Sequence, residues 1–93
     1  MRLADERRGN FRERGYTGAW SRYSKTRLLL HALCVDPFHV HGELGAFAEV
    51  TDHIVPLWAG GELMEERNLQ SLCTACNLRK AADDTRRYRK AGR

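Results

Sequence analysis

A Cys-x-x-Cys pair, Cys73 and Cys76, constrains the fold of this 93-residue chain more than any other feature. Two thiolates at that separation, where a helix begins, suit structural zinc. A chain this short buries little apolar surface, so a metal clamp is a common supplement to its core. The three cysteines are an odd number, which fits a metal site in a reducing compartment better than a disulfide framework.

The knuckle sits inside a longer pattern. From Val50 to Pro56 the chain reads VTDHIVP, a Gly60-Gly61 turn follows, and NLQSLCTACNLRK runs from Asn68 to Lys80. Residues 46–51 read as a short strand, apolar at Phe47 and Val50. Leu69 to Leu72 read as the second strand of a hairpin. Thr74 is placed to N-cap a helix running to about Asp84, and residues 62–67 read as one exposed helical turn. Upstream, helical periodicity spans Gly18 to Leu33, with Trp20, Tyr23, Leu30 and Cys34 near one face and Arg27 filling the gap. Arg22 and Lys25 lie elsewhere on that helix, where cations interleaved with aromatics can form a base-stacking platform. Aromatics at helical spacing are more often core, and core is the expectation for Trp20 and Tyr23. Pro37 ends any helix by Asp36.

Charge is distributed unevenly. Residues 1–27 carry eight Lys/Arg against three Asp/Glu, residues 28–78 carry one against seven, and residues 79–93 carry seven against two. The segment charges of +5, −6 and +5 sum to the net +4. Basic ends around an acidic middle suit a polyanion binder with a cation site at its centre. The bland alternative is two solvated basic tails. No apolar run approaches a membrane span, and the first 15 residues lack a signal peptide's apolar stretch. A cytoplasmic protein without membrane contact is expected.

The order Asp52-His53, Asn68, Cys73-x-x-Cys76-Asn77 resembles the HNH endonuclease family over about residues 34–93. The implied fold is α+β: a small ββα-metal, treble-clef-like domain with an N-terminal helix and a structural zinc knuckle. The chain then divides into a flexible basic arm at 1–16 and a nuclease domain at 17–93, with its core at 34–84 and a basic tail at 85–93. Many relatives complete the zinc site with a second upstream Cys-x-x-Cys. Here Cys34 is followed three residues on by Pro37, so a Cys3His set of Cys34, His41, Cys73 and Cys76 is expected. His39 is the other candidate for the fourth place.

The resemblance also assigns roles. His53 is implied to be the general base and Asp52 a metal ligand. Asn77, where a second His is usual, is implied to complete the catalytic metal site. Asn68 is implied to pin the hairpin loop. A neutral His can accept a water proton near pH 7, and an Asp/Asn oxygen set favours Mg²⁺ or Mn²⁺. Adjacent residues on a regular strand face opposite ways, so Asp52 and His53 are expected to need a loosened or bulged strand end. Arg79, Lys80, Arg86, Arg87 and Arg89 are expected on phosphates, with Arg22 and Lys25 as further contacts.

The implied activity is metal-dependent hydrolysis of double-stranded DNA to 5′-phosphate and 3′-hydroxyl ends, by a monomer or weak dimer that nicks. The implied setting is a bacterial or phage-infected cell, with phage packaging machinery as a partner. The competing reading is a catalytically inactive zinc-knuckle module that binds nucleic acid. Such a module has no need of Asp52, His53 and Asn68 together.

Overall fold

The computed structural model describes residues 18–89. The expected basic arm at 1–16 and the last four residues of the basic tail lie outside them. Helix α1 spans Gly18–Leu30, strands β1 (Val50–His53) and β2 (Leu69–Leu72) form one antiparallel hairpin, and helix α2 spans Thr74–Asp84. Single 3-10 turns at Leu57–Ala59 and Glu66–Asn68 punctuate the loop between the strands, and a π-helical turn at Thr85–Arg89 continues α2. The arrangement is the expected small α+β hairpin-helix unit. No described helix is long and apolar enough to cross a membrane.

The core is narrow. Cys34, Leu72, Cys73 and Cys76 are buried together, with Phe38 and Val50 packed against them. Three of those four residues are thiols. This is the composition expected where a metal replaces part of a hydrophobic core.

Helix α1 ends three residues earlier than its periodicity suggests. The chain must turn there to lay residues 32–35 beside two partners: Cys34 N–H donates to the Ala46 carbonyl at 2.8 Å, and Val35 N–H to the Ser71 carbonyl at 2.9 Å. Cys34 therefore reaches the knuckle from an extended segment rather than from a helix face. Leu30, expected beside Trp20, is exposed instead. The inward position on α1 belongs to Arg27, 8% exposed. Its guanidinium reaches Ser71 Oγ at 3.2 Å and the Leu69 carbonyl at 3.3 Å, and chelates the Glu66 carboxylate at 2.9 and 3.0 Å. A buried arginine with every bond directed fastens α1 to β2 and to the turn at Glu66–Asn68.

Three further expectations shift. The first strand starts at Val50; Phe47 makes only an isolated bridge to Leu33. The N-cap of α2 is Cys73, whose sulfur accepts the Cys76 amide at 3.5 Å. Thr74 is the next residue, and its N–H and hydroxyl both donate to Glu49 Oε1 at 2.8 Å. The strand does not bulge at Asp52-His53: Asp52 pairs with Gln70 and His53 with Leu69 in unbroken register.

Candidate active site and metal centre

The metal knuckle is assembled from three segments. β2 ends at Leu72 and delivers Cys73, the first turn of α2 delivers Cys76, and residues 34–41 supply the rest. The ligand atoms of Cys34, His41, Cys73 and Cys76 all lie within 4.8 Å of one another. His41 Nε2 is 3.4 Å from both the Cys73 and Cys76 sulfurs. Among the described residues this is the one group of three or more His, Cys, Asp or Glu side chains placed to share an ion. Three thiols and an imidazole form a donor set that can hold structural zinc. His39 is exposed and outside the cluster.

Asp36 explains why His41 is the one that arrives. It takes a left-handed conformation at φ 55°, accessible to Asp at modest cost. Its carboxylate accepts the Val40 amide at 2.7 Å and the His41 amide at 3.3 Å, which turns the loop back after Pro37. The Val40 amide in particular holds this carboxyl below the usual carboxylate range. The Cys76 amide lowers the Cys73 thiol to about 7, and burial pushes the Cys76 thiol up.

The second constellation lies at the far end of the hairpin. Consecutive strand residues face opposite sides, and here those sides belong to different helices. Asp52 meets α2: its Oδ2 accepts the Gln70 amide at 2.9 Å and lies 3.0 Å from Lys80 Nζ. His53, 7% exposed, meets α1: its imidazole stacks on Trp20 with centroids 4.8 Å apart. Its Nε2 lies 3.0 Å from the Leu63 carbonyl. A carbonyl only accepts, so Nε2 carries a proton; in the neutral imidazole Nδ1 then presents a lone pair.

Lys80 is placed otherwise than expected. It is buried, and its ammonium donates to the His53 carbonyl at 3.0 Å and to Asp84 at 2.6 Å while pairing with Asp52. Two of its three protons go to the His53 carbonyl and Asp84, and its charge pairs with Asp52. Lys80 is therefore an internal strut between β1 and α2 rather than a phosphate contact. Asn77, half-buried, lies three residues before it along α2, on the same face of the helix.

Asn68 closes the loop that carries Leu63. Its Nδ2 donates to the Val55 carbonyl at 3.1 Å and the Glu62 carbonyl at 2.9 Å, while its Oδ1 accepts the Val55 amide at 2.8 Å. Gly61 is required beside it. A Cβ there would fall 1.8 Å from the Val55 carbonyl oxygen.

The remaining cations lie outside this centre. Arg22, Lys25, Arg79, Arg86, Arg87 and Arg89 are exposed. Arg79 rests over the Phe38 ring at 4.1 Å and Arg89 over Trp58 at 5.4 Å, while Arg86 pairs with Asp83. The partners of Asp52, Lys80 and His53 were not named from the sequence. Gln70 on Asp52 follows from strand register, and Asp84 on Lys80 from four-residue spacing. Trp20 on His53 had no local signal, because the two residues stand far apart in the chain.

A two-stranded hairpin running into a helix through a Cys/His knuckle, with an Asp-His pair at the strand end, defines a ββα-metal nuclease fold. The family model for the HNH endonuclease matches residues 32–83, more than half of the chain, and the protein belongs to that family. Its structure is similar to the crystal structure of the HNH endonuclease of the deep-sea thermophilic bacteriophage GVE2, solved with a manganese ion. The two share 34% identity with a TM-score of 0.58, over 90% of this chain and 91% of that one. A search of curated proteins finds no match.

Proposed function

We propose that this protein is a divalent-metal-dependent DNA endonuclease in which His53 is the general base and Asp52 and Asn77 hold the catalytic cation. The observation that carries the reading is the state of His53: a buried imidazole whose Nε2 faces a carbonyl, leaving Nδ1 to accept a water proton. Asp52 and Asn77 offer a hard oxygen donor set suited to Mg²⁺ or Mn²⁺, and the related phage enzyme was solved with manganese. When bound, the cation supplies charge stabilisation to the phosphate as it is attacked.

The chain's own residues divide the remaining work. Lys80 and Gln70 both hold Asp52 Oδ2, which leaves Oδ1 for the ion and fixes the carboxylate's direction. Asp52 and His53 face opposite ways, so Asp52 would hold the cation from one side of β1 while His53 would act as base from the other. Asn68 is a positioning residue: it holds the loop from which Leu63 fixes the base. Arg22, Lys25, Arg79, Arg86 and Arg87 contact phosphates along the strand, giving salt-sensitive affinity without sequence choice. One site per chain nicks one strand, leaving a 5′-phosphate and a 3′-hydroxyl, and a monomer or weak dimer suffices. The likeness to a phage enzyme supports a setting in an infected bacterial cell.

Metal titrations of cleavage test the ligand assignment. Asp52→Ala and Asn77→Ala should bind DNA normally yet need far more Mn²⁺ for any cutting. An unchanged Mn²⁺ requirement in both variants would remove them as ligands.

A further inference from the structure

Helix α1 lies outside the 32–83 segment matched by the family model, yet it supplies the aromatic ring stacked on the assigned base. The Trp20 and His53 rings stack at 4.8 Å with an interplanar angle of 29°, and each residue is less than a tenth exposed. The same helix grips the loop that holds the other side of the imidazole. Tyr23 Oη donates to Glu66 Oε1 at 2.8 Å, and Arg27 pairs with Glu66 at 2.7 Å. Glu66 stands three residues beyond Leu63, whose carbonyl takes the Nε2 proton.

A histidine ring turns about a broad, roughly two-fold torsion. One hydrogen bond at Nε2 fixes which edge faces Leu63 but leaves the ring free to tilt about that bond. A half-turn would be worse, presenting Cδ2 where Nδ1 must accept a proton. An aromatic face stacked on the imidazole opposes both motions. We propose that Trp20 is a positioning residue for His53, and that α1 is thereby part of the catalytic apparatus rather than a basic appendage. Trp20 grips the ring face while Tyr23 and Arg27 tether the loop behind it. This rests on the assignment of His53 as base.

The test compares Trp20→Leu, which keeps an apolar side chain without a ring, with Trp20→Phe, which keeps a stacking face. Trp20→Met, unbranched and adaptable, replaces the Leu variant if that one does not fold. Misplacement of a reacting group by about 1 Å can cost about 100-fold in rate. The ringless variant should therefore lose about 10- to 100-fold in kcat with KM little changed, and the Phe variant should recover most of the loss. Nitrogen NMR of the His53 ring gives a readout independent of turnover. Wild type and Trp20→Phe should each show one fixed tautomer protonated at Nε2, and the ringless variant an exchange-averaged signal, with the β1–β2 amide spectrum preserved. A folded ringless variant with wild-type kcat, or with an unaltered His53 ring signal, would overturn the proposal. So would a Phe variant as slow as the ringless one. His53→Ala that still cuts DNA would instead refute the base assignment on which the proposal rests.

Discussion

Replacing Asn68 by Ala removes three hydrogen bonds from one loop while leaving the packed core untouched. Two of the bonds, with the Val55 amide and the Val55 carbonyl, are partly buried; the third, to the Glu62 carbonyl, is exposed. At about 0.5–1.5 kcal/mol net for each, the three amount to about 2–4 kcal/mol. Water can replace the exposed bond, so the lower half of that range is expected, about 2–3 kcal/mol. For a domain of this size each kcal/mol corresponds to about 4–8 °C of melting temperature, so Asn68→Ala should melt about 10–20 °C below wild type. The assay is thermal unfolding followed by circular dichroism in excess zinc, which keeps metal loss from masking the loop. Asn68→Asp sharpens the test. It retains an acceptor for the Val55 amide but sets a charged oxygen against two carbonyls, so it should be no more stable than the Ala variant. An Ala variant melting within about 3 °C of wild type, or an Asp variant clearly more stable than Ala, would refute the reasoning.

Lys80→Met strands the Asp52 and Asp84 carboxylates, whose side chains are 15% and 10% exposed, and should cost about 3–5 kcal/mol in urea unfolding. Arg87→Ala should leave stability alone and reduce the salt dependence of DNA binding by about one ion. Arg27 holds the Glu66 carboxyl below its ordinary 4.5, so the Glu66 contribution is full above that pH and is lost as pH falls through the depressed value. The stability gap between wild type and Glu66→Gln should accordingly be open at pH 7 and close in acid, as read by urea titrations at each pH. Elemental analysis should find about one zinc per chain. Cys34→Ala and His41→Ala should reduce it, and His39→Ala should not.

The hairpin, α2 and the Cys73/Cys76 pair at its start were legible because each depends on local spacing. Cys73 and Cys76 announce a helix start, and Leu69 to Leu72 alternates into a strand that ends where the knuckle begins. The His39/His41 choice turned on Asp36, whose left-handed backbone and two accepted amides leave little trace in the sequence. The periodicity of α1 points to the face that carries Trp20 and Arg27, and both are buried, but Leu30 is exposed and the other inward place belongs to a cation. Its buried cation, Arg27, looks polar in any periodicity argument, and only the distant partners Glu66, Ser71 and Leu69 make burial tolerable. Lys80 was misread for the opposite reason: a lysine in a basic tract looks solvated until Asp52 and Asp84 arrive beside it. The stack of Trp20 on His53 joins two segments separated by the whole knuckle loop, beyond the reach of local pattern.

Conversion of supercoiled plasmid tests the central claim most directly. The protein is stripped of weakly held metal with EDTA, Mg²⁺ or Mn²⁺ is added back, and His53→Ala is run alongside. The account predicts open circles only when metal and His53 are both present, with the variant still binding DNA. Plasmid that is retarded on the gel but never cut, under either metal, would contradict it and leave a zinc-knuckle DNA-binding module in its place.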